Sequence, residues 1–431
     1  MTELSGETRR SGMTSARPGW RGRWARAWLV WSAFTISSEA GAQSCLRYHV
    51  SPIEPPPGAW AYVVWDINNL AQATGRHTQH GEPTEAFFWD PLEGYTFLGA
   101  LGWPGNSEGY GINDAGHVAG TSARDDHKEG FFWSPETGMI GVGDLPGGGE
   151  FSVGYALNDC DRVVGYSGAD AGEGSTQEAF LWDAESGIRG LGDLPGGYFN
   201  SVAYDVNDLT QVVGWSESYN GVEAFLWYPD EGMIGLGFLP GGIGYSSGHA
   251  INNLGQVTGN SGSYEGLQAF FWDPDEGMIG LGVPDGPDPF SSANDINDLG
   301  QVVGLAATDS EWPSAHFGFI WDRENGMRKV RELPFDDSAS GDYAWIDGGK
   351  AINNRGQILG YAPDARRFVI ITPYVPGDLN DDHRVDWADL MILLNDWGCA
   401  TDRCPGDCDF DFDTDHADLG LLLAHWGEGC P

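Results

Sequence analysis

Apolar and polar positions along most of this chain follow one pattern, which recurs about every 45 residues. In each copy, an apolar segment of the type AFLW is followed by a turn and then by a segment of the type INxxGQVVG. The apolar residue at the start of that second segment recurs after 45, 45, 49, 45, 45 and 56 residues. The seven positions are Ile67, Ile112, Leu157, Val206, Ile251, Ile296 and Ile352. A period of this length is typical of repeat architectures.

One repeat contains four short strand-like segments. In the copy that begins at Ser247, residues 248–251 and 256–259 are apolar segments on either side of an Asn-Asn-Leu-Gly turn. Residues 269–272 and 278–281 are two more, separated by a turn that contains Pro274 and Gly277. Asparagine, proline and glycine favour such turns. Four strands in about 45 residues correspond to one blade of a β-propeller.

The third segment and the two ends of the repeat array favour a closed ring. Residues 269–272 read AFFW and do not alternate, so both faces of that strand need to be covered. The seventh copy stops after residue 372, and residues 47–53 stand where its missing strand would. We therefore predict a mainly β protein with a seven-bladed β-propeller at residues 43–375, closed by the N-terminal strand. An open β-solenoid is the alternative.

The paired motifs carry a resemblance to a known family. The strings AFLW…GMxxLGxLPGG and AxxINxxGQVVG resemble the extracellular repeat family called HAF, after its His-Ala-Phe type of motif. In this chain the first letter of that motif is usually glutamate, at Glu85, Glu129, Glu178 and Glu223. The resemblance implies an exported protein and no particular activity.

The N-terminus and the charge indicate where the protein acts. Residues 1–42 combine several arginines, an apolar segment at 27–36 and the small residues Ala40, Gly41 and Ala42, which predicts a signal peptide. That apolar segment is too short to span a bilayer. The 63 acidic residues against 22 Lys and Arg disfavour nucleic acid as a partner. We expect a secreted protein, extracellular or at the cell surface, without a membrane span.

Two features of the repeat region were considered as sites of chemistry. Ser107 and Ser246 lie in GxSxG strings, but a nucleophile elbow requires a strand, a turn and a helix, so we interpret both strings as coincidental. The last repeat is 11 residues longer than the usual 45, within residues 335–350. Its aromatic and acidic side chains are candidates for stacking on and hydrogen-bonding a sugar, although a self-packed surface loop is the simpler interpretation. These candidate ligand-binding residues are Asp336, Asp337, Tyr343 and Trp345.

The C-terminal residues 376–431 repeat an acidic loop and a helix at an interval of 29 residues. Each 12-residue loop places oxygen-bearing residues at the spacing used by calcium loops, with position 7 offering its carbonyl, so two calcium ions are predicted. The candidate ligands are Asp378, Asn380, Asp382, Arg384, Asp386 and Asp389 in the first loop, and Asp407, Asp409, Asp411, Asp413, Asp415 and Asp418 in the second. Leucine and tryptophan at helical spacing follow each loop.

This tail resembles a type I dockerin, a duplicated loop-helix module that attaches secreted proteins to cohesin partners. Position 6 of the loops, usually glycine, is His383 and Phe412, and the positions associated with partner choice are Trp387-Ala388 and His416-Ala417. The partner is therefore cohesin-like or another surface protein. Four cysteines in the tail allow three disulfide pairings, of which we favour Cys399–Cys404 with Cys408–Cys430.

These features favour a secreted, non-catalytic binding or scaffold protein. Its propeller would present an interaction surface, and its dockerin-like tail would bind calcium and mediate attachment to a partner. The alternative is a carbohydrate-active enzyme, a polysaccharide hydrolase or lyase, or an accessory subunit of an extracellular polysaccharide-degrading complex. That alternative requires a polysaccharide ligand on the propeller.

Overall fold

The structure of the protein is a computed structural model that describes most of the chain beyond the predicted signal peptide. Residues 1–42 lie outside the described residues, as do Asp337, Asp382, Asp409 and Asp411 of the predicted sites. The described residues are 46–102, 104–125, 127–169, 176–242, 244–287, 289–308, 316–336, 338–343, 345–380, 384–400, 404–408 and 413–426.

The described chain forms seven antiparallel sheets of four strands each, which are the blades of a β-propeller. Blades one to six are built from successive strands, β2–β5 through β22–β25, and the seventh has the order β1-β28-β27-β26. The strands are β1 (Arg47–Ile53), β2 (Ala59–Ile67), β3 (Ala73–Gln79), β4 (Glu85–Asp90), β5 (Gly94–Phe97), β6 (Ser107–Ile112), β7 (Val118–Arg124), β8 (His127–Ser134), β9 (Gly138–Gly141), β10 (Ser152–Leu157), β11 (Val163–Ala169), β12 (Thr176–Asp183), β13 (Gly187–Gly190), β14 (Gly196–Val206), β15 (Val212–Ser218), β16 (Gly221–Tyr228), β17 (Gly232–Gly235), β18 (Ser246–Ile251), β19 (Val257–Ser263), β20 (Gly266–Asp273), β21 (Gly277–Gly280), β22 (Phe290–Ile296), β23 (Val302–Ala307), β24 (His316–Asp322), β25 (Gly326–Lys329), β26 (Asp347–Ile352), β27 (Ile358–Ala362) and β28 (Arg367–Tyr374).

The N-terminal strand closes the ring. β1 pairs antiparallel with β28, from Arg47 opposite Tyr374 to Ile53 opposite Phe368. The prediction that residues 47–53 supply the strand missing from the seventh copy is confirmed. Closure pairs the exposed edge that an incomplete seventh blade would otherwise leave.

The third strand of each blade is covered on both faces, as its apolar sequence predicts. In β16, Phe225 packs with Leu181 of the preceding blade, whereas Leu226 packs with Phe270 of the following blade. All four side chains are buried. The core therefore consists of layers between blades, and the AFLW segment supplies both sides of each layer.

The glycine of the INxxGQVVG segment is required by a close approach of the two inner strands. A Cβ atom on Gly214 of β15 would lie 1.8 Å from the carbonyl oxygen of Val202 in β14. Beside this contact, the register between β14 and β15 shifts from Ala203 to Asp205 and leaves Tyr204 without a paired residue. Such a β-bulge redirects a side chain, and the other inner strand pairs shift at the corresponding position.

Two α-helices, α1 (Trp387–Asn395) and α2 (His416–Ala424), form the tail. The buried residues Val385, Leu393 and Leu422 form its small core, which also includes Val375 at the end of the propeller. Short 3₁₀ turns at Val330–Glu332 and Gly341–Tyr343 lie in the long seventh repeat.

Candidate functional site

The asparagine of each INxxG segment holds its own turn and the ring together. In the first copy, the Asn68 Oδ1 atom accepts the N–H groups of Leu70 and Gln72, each at 3.0 Å. Its Nδ2 atom donates to the carbonyl oxygen of Asn113 in the next blade at 2.9 Å. The same bond between blades continues around the axis at 2.8–3.0 Å and ends with Asn353 donating to Asn68. These asparagines therefore have a structural role.

The serines of the two GxSxG strings are structural as well. The buried Ser246 hydroxyl accepts the N–H of Ala224 at 2.9 Å and donates to the carbonyl oxygen of Gly237 at 2.7 Å. Ser107 makes the equivalent bonds to Ala86 and Gly99. Both hydroxyls link neighbouring blades, and neither lies in a strand-turn-helix setting. The recurring polar residues of the repeat are thus occupied in building the ring.

A cavity of about 180 Å³ lies on the propeller axis beside the asparagine turns. Its rim is formed by the residue that follows each of these asparagines, and each rim N–H group donates to the rim side chain of the next blade. The rim residues are Asn69, Asp114, Asp159, Asp208, Asn253, Asp298 and Asn354. Four carboxylates and three amides make this end of the axis polar and acidic.

Three carboxyl groups lie deeper in the same cavity, on blades one, four and six. Asp66, Asp205 and Asp295 occupy a position that is alanine or glycine in the other four blades. Each carboxylate accepts the N–H of the following residue and an N–H from the next blade. Burial raises the pKa of Asp66 to about 7 and that of Asp205 to about 6; repulsion from Asp205 adds to the increase at Asp66, and repulsion from the rim residue Asp208 adds to that at Asp205. Burial also raises the pKa of Asp295, well above its usual value.

These three carboxyl groups do not converge on one point. Among the described residues, the acidic groups whose ligand atoms all lie within 4.8 Å of one another are in the tail and not in this cavity. The three carboxyl groups therefore bond the inner strands of neighbouring blades together, and they do not form a compact metal site.

One residue before the position of these aspartates in each inner strand, the bulged positions form a second ring around the axis. Its aromatic members contact one another in sequence, with ring centroids 5.3–6.0 Å apart. The Asn294 Nδ2 atom donates to the carbonyl oxygen of Gly349, and the Lys350 Nζ atom lies 4.2 Å from the ring centroid of Trp65, which completes the circle. We call this ring the collar, and its members are Trp65, Tyr110, Tyr155, Tyr204, His249, Asn294 and Lys350.

The sequence analysis did not identify the collar. Five residue types occupy its seven positions, with tyrosine at only three of them, so a search for one recurring letter passes over the collar. They can be found by aligning the seven copies. In each copy, the collar residue stands two places before the first apolar residue of the INxxG segment. A position that varies within a rigid repeat is a candidate for recognition.

The aromatic and acidic residues of the long seventh repeat have separate partners. The Asp336 Oδ2 atom bonds His49 Nδ1 at 2.9 Å and accepts the Tyr374 hydroxyl at 3.2 Å, which ties this segment to the closing strands. Burial alone would raise the pKa of Asp336, but hydrogen bonds from Ser338 and His49 hold it below its usual value.

Trp345 lies at a different place in that segment. Its Nε1 atom donates to Asp347 at 3.1 Å, and the guanidinium of Arg331 lies 4.7 Å from its ring centroid. Tyr343 packs against the seventh-blade core. Sugar binding by these residues stays a prediction.

The last aspartate of each tail loop makes the same hydrogen bonds. Asp389 is buried, and its carboxylate accepts the N–H groups of Leu379 and Asp386 at 2.8 and 2.7 Å. Asp418, 29 positions later, is buried in the same way and accepts from Cys408 and Asp415 at 2.6 and 2.7 Å. Asp386 and Asp415 also cap the helices. The sequence duplication is thus a structural duplication.

The two halves also pack on each other reciprocally. Trp387 at the start of α1 contacts Trp426 after α2, with ring centroids 5.2 Å apart. Trp397 after α1 contacts His416 at the start of α2, with ring centroids 5.0 Å apart. Because these pairs exchange under the 29-residue shift, the tail has approximate two-fold symmetry.

The predicted calcium ligands are only partly within the described chain. Carboxylate oxygens of Asp413, Asp415 and Asp418 all lie within 4.8 Å of one another. Oxygens bound to one calcium ion at about 2.4 Å lie no more than about 4.8 Å apart, so this set fits the ion. Asp407 begins this loop, and Asp378 and Asn380 begin the first loop, where Arg384 is exposed. Within its described residues, the first loop has no acidic triad that meets the same distance.

One of the two predicted disulfide bonds lies within the described residues and is confirmed. Cys399 and Cys404 form a disulfide with a Cα–Cα distance of 5.7 Å. The second predicted bond, Cys408–Cys430, involves a residue outside the described range.

No helix within the described residues is long and apolar enough to cross a membrane.

The chain matches no protein-family model and no curated protein sequence. Solved structures similar to it include an oligogalacturonate lyase in complex with manganese, at 13% identity over 75% of this chain and 92% of that chain, TM-score 0.47. A streptogramin B lyase is 11% identical over 76% and 98%, TM-score 0.47. An oligogalacturonate lyase from Vibrio parahaemolyticus is 10% identical over 76% and 97%, TM-score 0.45. At these identities the likeness concerns the propeller fold, and nothing about activity follows from it.

Proposed function

We propose that this chain is a secreted, non-catalytic binding protein whose propeller presents an interaction surface and whose tail attaches it to a partner protein in a calcium-dependent way. The observation that carries the proposal is the matched hydrogen bonding of the two acidic loops, in which Asp389 and Asp418 accept equivalent backbone N–H groups. Calcium would bind both loops, and the second loop would contribute Asp413, Asp415 and Asp418.

The surface of the tail supports a protein partner. Four large apolar side chains of the two helices remain exposed: Trp387 at 70%, Met391 at 53%, Leu394 at 50% and Leu423 at 54%. Exposed apolar surface rimmed by polar groups marks protein-protein contact. Since the surrounding loops are acidic, the partner would be a cohesin-like protein with an apolar centre and a basic rim.

Two measurements on the full chain test this proposal. Titration calorimetry should find two calcium ions, and Asp386→Asn with Asp415→Asn should weaken binding by about tenfold per site. Asparagine retains helix capping, so the helices should persist. Asp364→Asn, at an exposed residue of the propeller, is the matched control. A wild-type chain that takes up no calcium at millimolar concentration would refute the proposal.

Binding of purified cohesin modules to the immobilised chain should require calcium. Met391→Asp should abolish that binding and leave calcium affinity unchanged, because it alters the exposed helix face and neither loop. Equal capture with and without a chelator would argue against attachment through the tail.

A second candidate function, polysaccharide recognition, is favoured by exposed aromatic rings on blades four and five. Tyr219 and Tyr264 are 83% and 86% exposed, and each ring lies against the backbone of a glycine, Gly196 or Gly241. Rings held flat with one open face suit stacking on sugars.

Affinity electrophoresis in gels with soluble polysaccharides should show retardation that Tyr219→Ala with Tyr264→Ala removes. Release of reducing sugar from the same polysaccharides would indicate a hydrolase or lyase and contradict the non-catalytic assignment.

A further inference from the structure

The collar contains a positive charge without a negative partner. Among the described residues, Lys350 forms no ion pair or hydrogen bond through its ammonium group, although the chain carries 63 acidic residues. Its Nζ atom instead lies 4.2 Å from the ring centroid of Trp65 and 5.4 Å from that of Phe368. Burial, with a contribution from Arg76, lowers the pKa of Lys350 to about 8. Desolvation without a compensating anion is costly for an ammonium group.

The acidic groups next to the collar already have other hydrogen-bond partners. The Arg76 Nη1 atom donates to Glu108 Oε1 at 2.7 Å, and the other oxygen of Glu108 accepts the Tyr110 hydroxyl at 3.1 Å. Glu108 is thus held by Arg76 and Tyr110. The carboxylates of Asp66, Asp205 and Asp295, one residue beyond the collar, accept backbone N–H groups, so none of these nearby acids is an ion-pair partner of Lys350.

Flat apolar surface lies beside that charge. Trp65, Tyr110, Tyr155 and Tyr204 contact one another around the axis and are all partly exposed. Because the collar residues are the bulged positions of their strands, their directions are set by the backbone. Binding sites for small molecules commonly combine such apolar walls with a few fixed polar groups.

We propose that the collar binds a small molecule that carries a carboxylate and a ring, with the carboxylate at Lys350 and the ring against the aromatic side chains next to it. The bound carboxylate would supply the counter-ion that Lys350 lacks. On the far side of the ring, Asn294 Nδ2 and His249 Nδ1 already bond the carbonyl oxygens of Gly349 and Ala293, so further polar contacts would use Asn294 Oδ1 and His249 Nε2. A uronic acid and an aromatic carboxylic acid share this chemistry. This site is separate from the calcium loops and from the partner surface of the tail.

The composition of the chain makes a direct test practicable, because it contains only three lysines, Lys128, Lys329 and Lys350. Reductive methylation with ¹³C-formaldehyde gives each lysine its own NMR signal, and Lys350→Arg identifies the one from Lys350. The full chain would be titrated with glucuronate, with benzoate, and with acetate as a carboxylate without a ring. We expect a saturable shift confined to Lys350, together with a rise in the pH at which its signal titrates.

Substitutions in the collar test whether the ligand binds through Lys350 and the aromatic rings. Lys350→Met should weaken binding of the effective ligand at least about tenfold, the loss expected for a charge-assisted hydrogen bond. Its unbranched apolar side chain suits the same aromatic faces, so this variant should fold. Lys350→Arg should retain binding, Trp65→Ala should weaken it, and Lys128→Met is the control at an exposed lysine.

The competing outcomes are distinct. A response to glucuronate or to benzoate alone identifies the source of the ligand. Equal shifts of all three lysines, or no shift of Lys350 at ligand concentrations up to about 20 mM, well above a millimolar Kd, would overturn the proposal. Calcium binding by the Lys350→Met chain should be unchanged, so failure here leaves the function proposed for the tail untouched.

Discussion

Replacing Asp66 by asparagine should make the propeller more stable at alkaline pH and less stable at acidic pH. Burial raises the pKa of Asp66 from 3.8 to about 7, so the folded protein binds this proton more tightly than the unfolded chain does. The resulting stabilisation is complete below about pH 3.8 and is lost as the pH rises through about 7. Three pKa units correspond to about 4 kcal/mol that the ionised carboxylate costs the folded state.

Asparagine removes that cost, but it has one acceptor oxygen where the carboxylate has two. The Asp66 carboxylate accepts from Ile67 at 2.8 Å and from Ile112 at 3.0 Å, so one of these bonds is lost, at about 1 kcal/mol. The net expectation is about 3 kcal/mol of stabilisation near pH 8 and about 1 kcal/mol of destabilisation near pH 3.5. At roughly 2 °C per kcal/mol, the Tm should rise by about 6 °C at the higher pH and fall by about 2 °C at the lower.

The assay is the difference in Tm between variant and wild type, measured by calorimetry across that pH range. Taking the difference cancels the pH effects common to both proteins. Asp364→Asn removes one charge from an exposed position and should give no pH-dependent difference. A Tm difference for Asp66→Asn that is constant with pH, or that Asp364→Asn reproduces, would refute the argument from burial.

Two further changes test the ring itself. Ser246→Ala removes a buried hydroxyl that bonds both Ala224 and Gly237, and it should lower the free energy of unfolding by about 1–3 kcal/mol in denaturant titrations; a loss of ester hydrolysis without loss of stability would contradict its structural role. Ile53→Asp places a charge at a fully buried position of β1 and should separate β1 from β28, seen as rapid proteolysis near the N-terminus. Ser51→Asp at an exposed position of the same strand should leave the protein resistant.

The parts of the fold that the sequence predicted depend on features that recur. The seven copies, the four strands in each and the closing role of residues 47–53 all follow from one repeating pattern of apolar positions and turns. The doubly covered AFLW strand followed in the same way, since its lack of alternation requires neighbours on both sides. The structure confirms this prediction, since Phe225 packs against the preceding blade and Leu226 packs against the following one.

The candidate sites were harder to predict from the sequence, because they depend on contacts between residues that are far apart in the chain. Asp336 was predicted as a sugar contact, but its partner His49 lies 287 positions away, and no local pattern indicates that bond. The collar depends on bulges, which change the direction of a side chain without any signature in residue type. In the tail, the spacing predicted two sets of calcium ligands; the carboxylates of Asp413, Asp415 and Asp418 lie within 4.8 Å of one another, and the rest of both sets stays a prediction.

The pairing of β1 with β28 has a consequence for how the protein is made. Beside this pairing, the Phe368 N–H of β28 donates to the Tyr62 hydroxyl of β2 at 3.1 Å, across 306 positions of the chain. Closing a loop of that length costs about 5 kcal/mol of chain entropy, which the seven paired positions of β1 must offset. β1 is therefore translated early and can pair only after nearly all of the propeller has been translated. Until then β1 is an unpaired strand, and a chaperone that shields it would have to act longer than at any later strand of the ring.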